Sequence, residues 1–363
     1  RNKFGDGAMR RNIDMNSLGI DLIIFSKIED LEEYTIAQAS SRYTQIGNHQ
    51  PILGIVEINS NINFDSPNID KYLENTLIHE MTHVLGFSGY FFEEYFNFIM
   101  KKRDKYGKKR VYINSKKAVE MAKKYFNCPS LDGIELEDYG DEGTAGSHWE
   151  ARILLGDYMN GISYTEEVIS EITLALLEDL GFYKANYYTG GLMRYGKNKG
   201  CDFLEKKCLN NGVKFENEFY YPTNMESSFK EPSCSSGRLS KTFHKLHNYG
   251  SIPSNYQYFS ENPTIGGVLS VNYCPISEYD KYNTENIYYG RCSEEGTDID
   301  INKGEIISSK SFCVLSSLYK ETNDNTDDEE NFNSFCYEMA CSEKSLTIKI
   351  GDENIVCPRG GGK

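Results

Sequence analysis

Residues 79–83 read His-Glu-Met-Thr-His, and this run restricts the folds open to the chain more than any other feature. In a helix, residues four apart stand one turn above each other, so His79 and His83 can aim two imidazole nitrogens at one ion. The apolar neighbours Thr76-Leu77-Ile78 and Val84-Leu85 predict a buried helix over 73–85. Ser66 and Pro67 supply an N-cap and a first helical proline. Gly86 supplies a stop with positive φ. Zinc held by histidines and an open position brings the pKa of bound water near neutral, and a carboxylate beside the first ligand, here Glu80, can take the proton. The chain has only 6 His in 363 residues, so the pairing is not a by-product of a histidine-rich composition. These residue types at this spacing carry the chemistry of a zinc hydrolase that cuts peptide bonds.

Two histidines do not complete such a site, and the fold must return a third ligand from elsewhere. In the compact pattern H-E-x-x-H-x-x-G-x-x-H the helix-ending glycine turns the chain back to the metal. Gly86 stands where that glycine belongs, but position 89, where the third histidine would fall, is Gly89. Downstream lie His148, His244 and His247. His148 follows Gly143-Thr144-Ala145-Gly146-Ser147, a small, flexible approach suited to a residue brought close to a buried ion. Asp157-Tyr158-Met159-Asn160-Gly161 follows at a distance that fits a methionine-containing turn under the metal. His148 is therefore the expected third ligand, with Glu93, Glu94, Glu150 and Glu171 as the alternatives. His49, His244 and His247 read as packing or surface residues.

These stretches, taken together, resemble the leishmanolysin family of zinc metallopeptidases, in which a long insertion separates the helix glycine from the third histidine. The resemblance runs through Thr76 to Phe87, Asn127-Cys128-Pro129-Ser130-Leu131-Asp132-Gly133 and Leu136-Glu137-Asp138-Tyr139. It continues through Gly143 to Glu150, Thr173 to Tyr183 and Gly196 to Phe203. It implies zinc on His79, His83 and His148, Glu80 as general base, and Met159 as the methionine of the turn. It implies an α+β fold: a metzincin-like catalytic domain, a long insertion before the third ligand, and a β- and loop-rich, disulfide-bonded C-terminal domain. The expected divisions are 1–86 with the zinc-binding helix, 87–185 with the third ligand and the methionine turn, and a Cys-rich 186–363. The family's N-terminal catalytic region is longer than the 86 residues up to Gly86, so the chain reads as a fragment or processed form. The cysteine that the family places near Ala39-Ser40-Ser41-Arg42 is absent, so no disulfide is expected there.

Composition narrows the partners and the compartment. A net charge of −15 argues against nucleic acid. No run of apolar residues is long enough to span a membrane, and the end, Val356 to Lys363, is no glycolipid-anchor signal. Of the 10 Cys, nine lie from Cys201 onward, which reads as a disulfide framework formed in an oxidising compartment. The expectation is an extracellular or cell-surface protein acting on proteins or peptides, possible roles being surface proteolysis and cell adhesion.

Several local readings follow. Ile20–Phe25 and Pro51–Asn59 read as strands, the second able either to pair with extended substrate or to lie inside a sheet. The aromatic run 90–98 reads as a packed helix, and the basic run from Lys101 to Arg110 as a solvated loop. Helices are expected over Ala118–Phe126 and Val168–Leu180, the latter capped by Thr165. Thr322–Asn331 reads as an acidic loop. The rival to an enzyme is an inactive adhesion or binding protein on a metalloprotease scaffold; the intact Glu80 argues against it.

Overall fold

The computed structural model describes residues 19–32, 35–65, 69–104, 106–140, 143–164, 166–209, 212–222, 231–278, 290–294, 297, 299–316 and 333–358. The readings made on Ser66, Pro67, Thr165 and the acidic stretch 322–331 lie outside these residues. The fold is mixed α+β, and its contacts divide it into two compact units.

The first unit comprises the described residues up to Asn63 together with Thr76–Phe87. Its sheet holds β1 (Ile23–Glu29), β2 (Ala37–Thr44) and β3 (Pro51–Asn59) in the order β1-β3-β2. β3 runs parallel to β1 and antiparallel to β2. Its bounds are those read from the sequence, because β-branched residues fill a half-buried pleated strand well. Both of its edges are taken, so β3 is an interior strand, and pairing of substrate with this segment is excluded. The helix α1 (Ile69–Val84) contributes its last turns to this unit. A methyl group on Gly54 would lie 2.2 Å from Val84 Cγ1, so a glycine in β3 lets the end of α1 lie directly on the strand. Expected to be buried throughout, α1 is two-sided instead. Glu80, Thr82 and Val84 are buried, whereas Ile78 and Met81 are exposed.

The second unit comprises 64–75 and the described residues from Ser88 onward. A π-helical turn at Phe91–Tyr95 replaces the helix expected for the aromatic run. Phe91 and Phe92 are buried, and Phe96 packs against Phe98 and Phe182. The basic run is not a loop: it forms the hairpin β4 (Ile99–Arg103) and β5 (Lys109–Ile113), to which β6 (Ile134–Glu135) adds. Its charges are paired with acids brought back from farther along the chain, such as Lys102 with Asp132 and Lys108 with Asp138.

Helix α2 (Lys116–Phe126) buries Ala118, Val119, Ala122 and Phe126 on one stripe and ends at Asn127 in the left-handed conformation. It is followed by α3 (Ala151–Leu154) and α4 (Glu171–Asp179). Asp179 Oδ2 accepts from the backbone N–H groups of Lys117 (2.7 Å) and Ala118 (3.0 Å), so the end of α4 caps the start of α2. α4 begins later than Val168 because Val168 pairs with Asp157 as an isolated bridge; Ser170 is the cap, accepting from the Thr173 N–H.

Beyond the short helix α5 (Cys201–Glu205) the described residues form strands, loops and short 3-10 turns. β8 (Lys241–His244) lies between β7 (Glu231–Cys234) and the later β11 (Ser277–Glu278), and β9 (His247–Asn248) pairs with β10 (Ile265–Gly266). β12 (Ser311–Ser316), β13 (Asn333–Cys341), β14 (Ser345–Ile350) and β15 (Glu353–Pro358) form an antiparallel sheet in chain order.

Disulfides join Cys128–Cys201, Cys208–Cys274, Cys234–Cys313 and Cys292–Cys336. Cys341 and Cys357 are not paired. Both stand opposite Leu346, one strand away on either side, which separates them by about 9–10 Å and beyond disulfide reach. No helix among the described residues is long and apolar enough to cross a membrane.

Candidate metal centre

α1 delivers the first two imidazoles as helical spacing requires. The Nε2 atoms of His79 and His83 face each other at 3.1 Å. His83 Nδ1 lies 2.6 Å from the carbonyl oxygen of Phe87. A carbonyl oxygen only accepts, so Nδ1 carries the proton and Nε2 keeps its lone pair for a ligand. The helix ends in a way that produces this contact. Phe87 N–H bonds to Thr82 O and Gly86 N–H to His83 O, the reciprocal pair of a Schellman stop, with Gly86 at φ 112°. Glu80 is buried, and desolvation pushes its carboxyl up to about 7.

His148 belongs to the second unit, where it is 7% exposed. Its Nδ1 donates to the carbonyl of Thr144 at 2.9 Å, so that Nε2 is the ring nitrogen that carries the lone pair. The strap before it is held by backbone bonds on both sides: Glu137 N–H to His148 O (2.9 Å) and Gly146 N–H to Glu137 O (2.8 Å). Gly89, at the position where the compact motif has its third histidine, packs on this strap. A methyl group there would lie 2.8 Å from Gly146 O.

The segment after His148 is braced by groups that no local pattern revealed. Trp149 is fully buried, and its indole N–H donates to Thr173 Oγ1 at 2.8 Å. The Thr173 hydroxyl donates in turn to Asp157 Oδ2 at 2.8 Å, and Asp157 Oδ1 accepts from Met159 N–H at 2.7 Å. Trp149 N–H bonds to Met159 O at 3.0 Å, and the Asn160 amide donates to Trp149 O at 3.2 Å. Met159 is fully buried in this turn. Burial pushes the Asp157 carboxyl up to about 6. Donors and acceptors ten to twenty-four residues apart leave no signature that periodicity can detect.

Among the described residues, His79 and His83 are paired within the first unit, and Glu135, Asp138 and Glu150 form an acidic group within the second. Glu93, Glu94 and Glu171 belong to neither; Glu93 pairs with Lys101. Glu150, the other alternative ligand, accepts from Asn272 Nδ2 at 2.9 Å and caps α3. The acidic group already holds a cation, since Arg110 reaches Glu135 at 2.7 Å and Asp138 at 2.6 Å. His244 stacks on Tyr220 and meets Ser233 Oγ, as a packing residue does. His247 has a carboxylate partner that the sequence did not suggest, Glu278 at 2.8 Å. His49 is half-buried, with φ 63°.

A family model described as leishmanolysin matches residues 11–361. The chain is 31% identical to the leishmanolysin of Leishmania major over 265 residues, which are 70% of this chain and 41% of that protein. It is 26% identical to the leishmanolysin of Leishmania amazonensis over 342 residues, covering 91% of this chain and 53% of the relative. A leishmanolysin-like peptidase of Drosophila melanogaster is 27% identical, with 91% of this chain and 57% of the relative covered. The chain thus spans about half the length of these curated relatives.

Proposed function

The chain belongs to the leishmanolysin family, and from that premise we propose that it is a zinc-dependent metalloendopeptidase acting on protein or peptide substrates. The observation that carries this reading is the 3.1 Å approach of the His79 and His83 Nε2 atoms on one helix whose next residue, Glu80, is buried. Tetrahedral zinc with Zn–N bonds near 2.0–2.1 Å separates two nitrogen donors by about 3.3 Å, so the pair fits that ion. His148 is the third ligand in this proposal. In its support, the Nδ1 of His148, like that of His83, is engaged by a backbone carbonyl, as metal-binding histidines require.

When bound, zinc supplies a Lewis acid that polarises the scissile carbonyl and acidifies water. The chain's own residues do the rest. Glu80 takes a proton from the attacking water onto its carboxylate and delivers it to the nitrogen of the leaving amine. A desolvated carboxyl suits that two-way traffic, because it holds a proton more readily than an exposed one. The metzincin arrangement, the divisions 1–86, 87–185 and 186–363, and Met159 as the methionine of the turn belong to the same proposal. So does an extracellular or cell-surface location with surface proteolysis or adhesion as its setting; four disulfides support an oxidising compartment.

The test joins metal analysis to cleavage of casein or a quenched peptide with and without a chelator. Glu80→Ala is expected to keep its zinc and to lose cleavage by roughly 100-fold or more. Full activity in purified Glu80→Ala protein removes Glu80 from the role, and activity indifferent to chelator removes the metal.

A further inference from the structure

Gly161 closes the turn that runs from Asp157, and its surroundings are crowded. A methyl group there would lie 2.7 Å from Thr144 Cγ2, 3.5 Å from His148 Cγ and 3.6 Å from His148 Nδ1. A side-chain carbon at 161 would therefore stand at van der Waals distance of the imidazole. Gly161 is not among the positive-φ glycines, so an alanine there is acceptable to the backbone and meets resistance only from these neighbours. Thr144 faces the turn with its methyl while its carbonyl accepts the His148 Nδ1–H.

The turn has little freedom to withdraw. Asp157 grips the Met159 N–H and the Thr173 hydroxyl, and Met159 and Asn160 both bond to the backbone of Trp149, the residue next to His148. A group added at 161 must displace Thr144 and the ring that its carbonyl holds. We propose that Gly161 is a positioning residue for His148, its missing side chain being what lets Thr144 and the turn hold the imidazole in one orientation. This rests on the reading of His148 as a zinc ligand.

The test is zinc affinity by competition with a chromogenic chelator, beside the denaturant stability of the zinc-free protein. Gly161→Ala is expected to weaken zinc binding by roughly 10- to 100-fold, the range seen when groups that orient a ligand are lost. Thr144→Ser removes Cγ2 and with it the 2.7 Å conflict, so the double variant T144S/G161A is expected to recover most of that loss. Thr144→Val keeps a methyl at that place, and T144V/G161A is expected not to recover. The contrast between the two double variants stands even if Gly161→Ala alone fails to fold. Wild-type affinity in G161A, or equal behaviour of the two double variants, overturns the proposal. His148→Ala separates the two levels of argument: zinc retained there ends the ligand reading itself. Zinc lost in H148A but retained in G161A ends only the role of Gly161.

Discussion

The carbonyl of Phe87 reaches back 2.6 Å to the Nδ1 of His83, four residues earlier. That contact exists because Gly86 adopts φ 112°, a conformation that residues with a side chain rarely take, and turns the chain over the end of α1. Gly86→Ala is therefore expected to cost about 1–3 kcal/mol of stability. It should also weaken zinc binding, since the carbonyl that fixes the His83 tautomer moves with the turn. Denaturant unfolding and chelator competition on the same variant check both halves; a destabilised protein with unchanged zinc affinity would show that the Phe87 carbonyl does not orient His83.

Gly89 invites a different substitution. Replacing it by histidine would restore the last letter of the compact motif, which on sequence grounds alone argues for a stronger site. The packing says otherwise, because any Cβ there falls 2.8 Å from Gly146 O on the strap that ends in His148. Gly89→His and Gly89→Ala are both expected to lower zinc affinity relative to wild type. Tighter binding in Gly89→His would mean that the added imidazole reaches the metal by itself.

What the sequence disclosed and what it hid follow from the range of each interaction. α1, β3 and α2 were legible because helical and strand periodicity is local, and His79 and His83 declare their common face by spacing alone. The basic run was misread because a charge run does not say which acids the fold returns to it. Asp132 and Asp138 reach Lys102 and Lys108 across some 30 positions. The start of α4 was misplaced for the same reason, since Val168 is claimed by Asp157. Gly89 and Gly161 matter through what they lack, and an absent side chain gives no signal until its neighbours are known.

His244 supplies a pH dependence whose sign can be worked out. Burial pushes this imidazole down to about 4 from its usual 6.5. Between those values the unfolded chain binds a proton that the folded chain does not, so acidification through this window favours unfolding. The contribution is full above about pH 6.5 and is lost as pH falls towards 4, on the order of 3 kcal/mol in all. Glu167 works in the opposite direction: burial pushes its carboxyl up to about 7, so the folded chain gains stability as pH falls from there towards the usual carboxylate range. The raw curve blends these with other raised carboxyls, Glu80 and Asp157 among them, and the difference between wild type and His244→Phe isolates the histidine, with the ring stacked on Tyr220 kept aromatic. Stability measured by denaturant from pH 7 to 4 should fall less steeply in the variant. Parallel curves would show that His244 is protonated in the folded protein.

Arg110 offers the largest single effect on stability. The residue is 8% exposed, and its guanidinium lies 2.7 Å from Glu135, 2.6 Å from Asp138, 3.2 Å from Asp104 and 3.9 Å from Glu150. Glu150 Oε2 is buried without a hydrogen-bond partner of its own, and burial, with Glu137 and Glu135 nearby, pushes its carboxyl well up. Removing the guanidinium leaves Asp138 with Lys108 but takes from the buried Glu135 its ion-pair partner and leaves it near Glu150. Arg110→Met is expected to cost about 3–5 kcal/mol, the usual result of breaking a buried charge cluster from one side. Lys117–Glu178, an ion pair whose lysine is 53% exposed, is the contrast: Lys117→Ala should cost less than about 1 kcal/mol. Adding Glu135→Gln to Arg110→Met should return part of the loss, because one of the stranded charges is then gone, and a double-mutant cycle measures that coupling. Strict additivity of the two substitutions would mean that Arg110 stabilises the fold by packing rather than by charge.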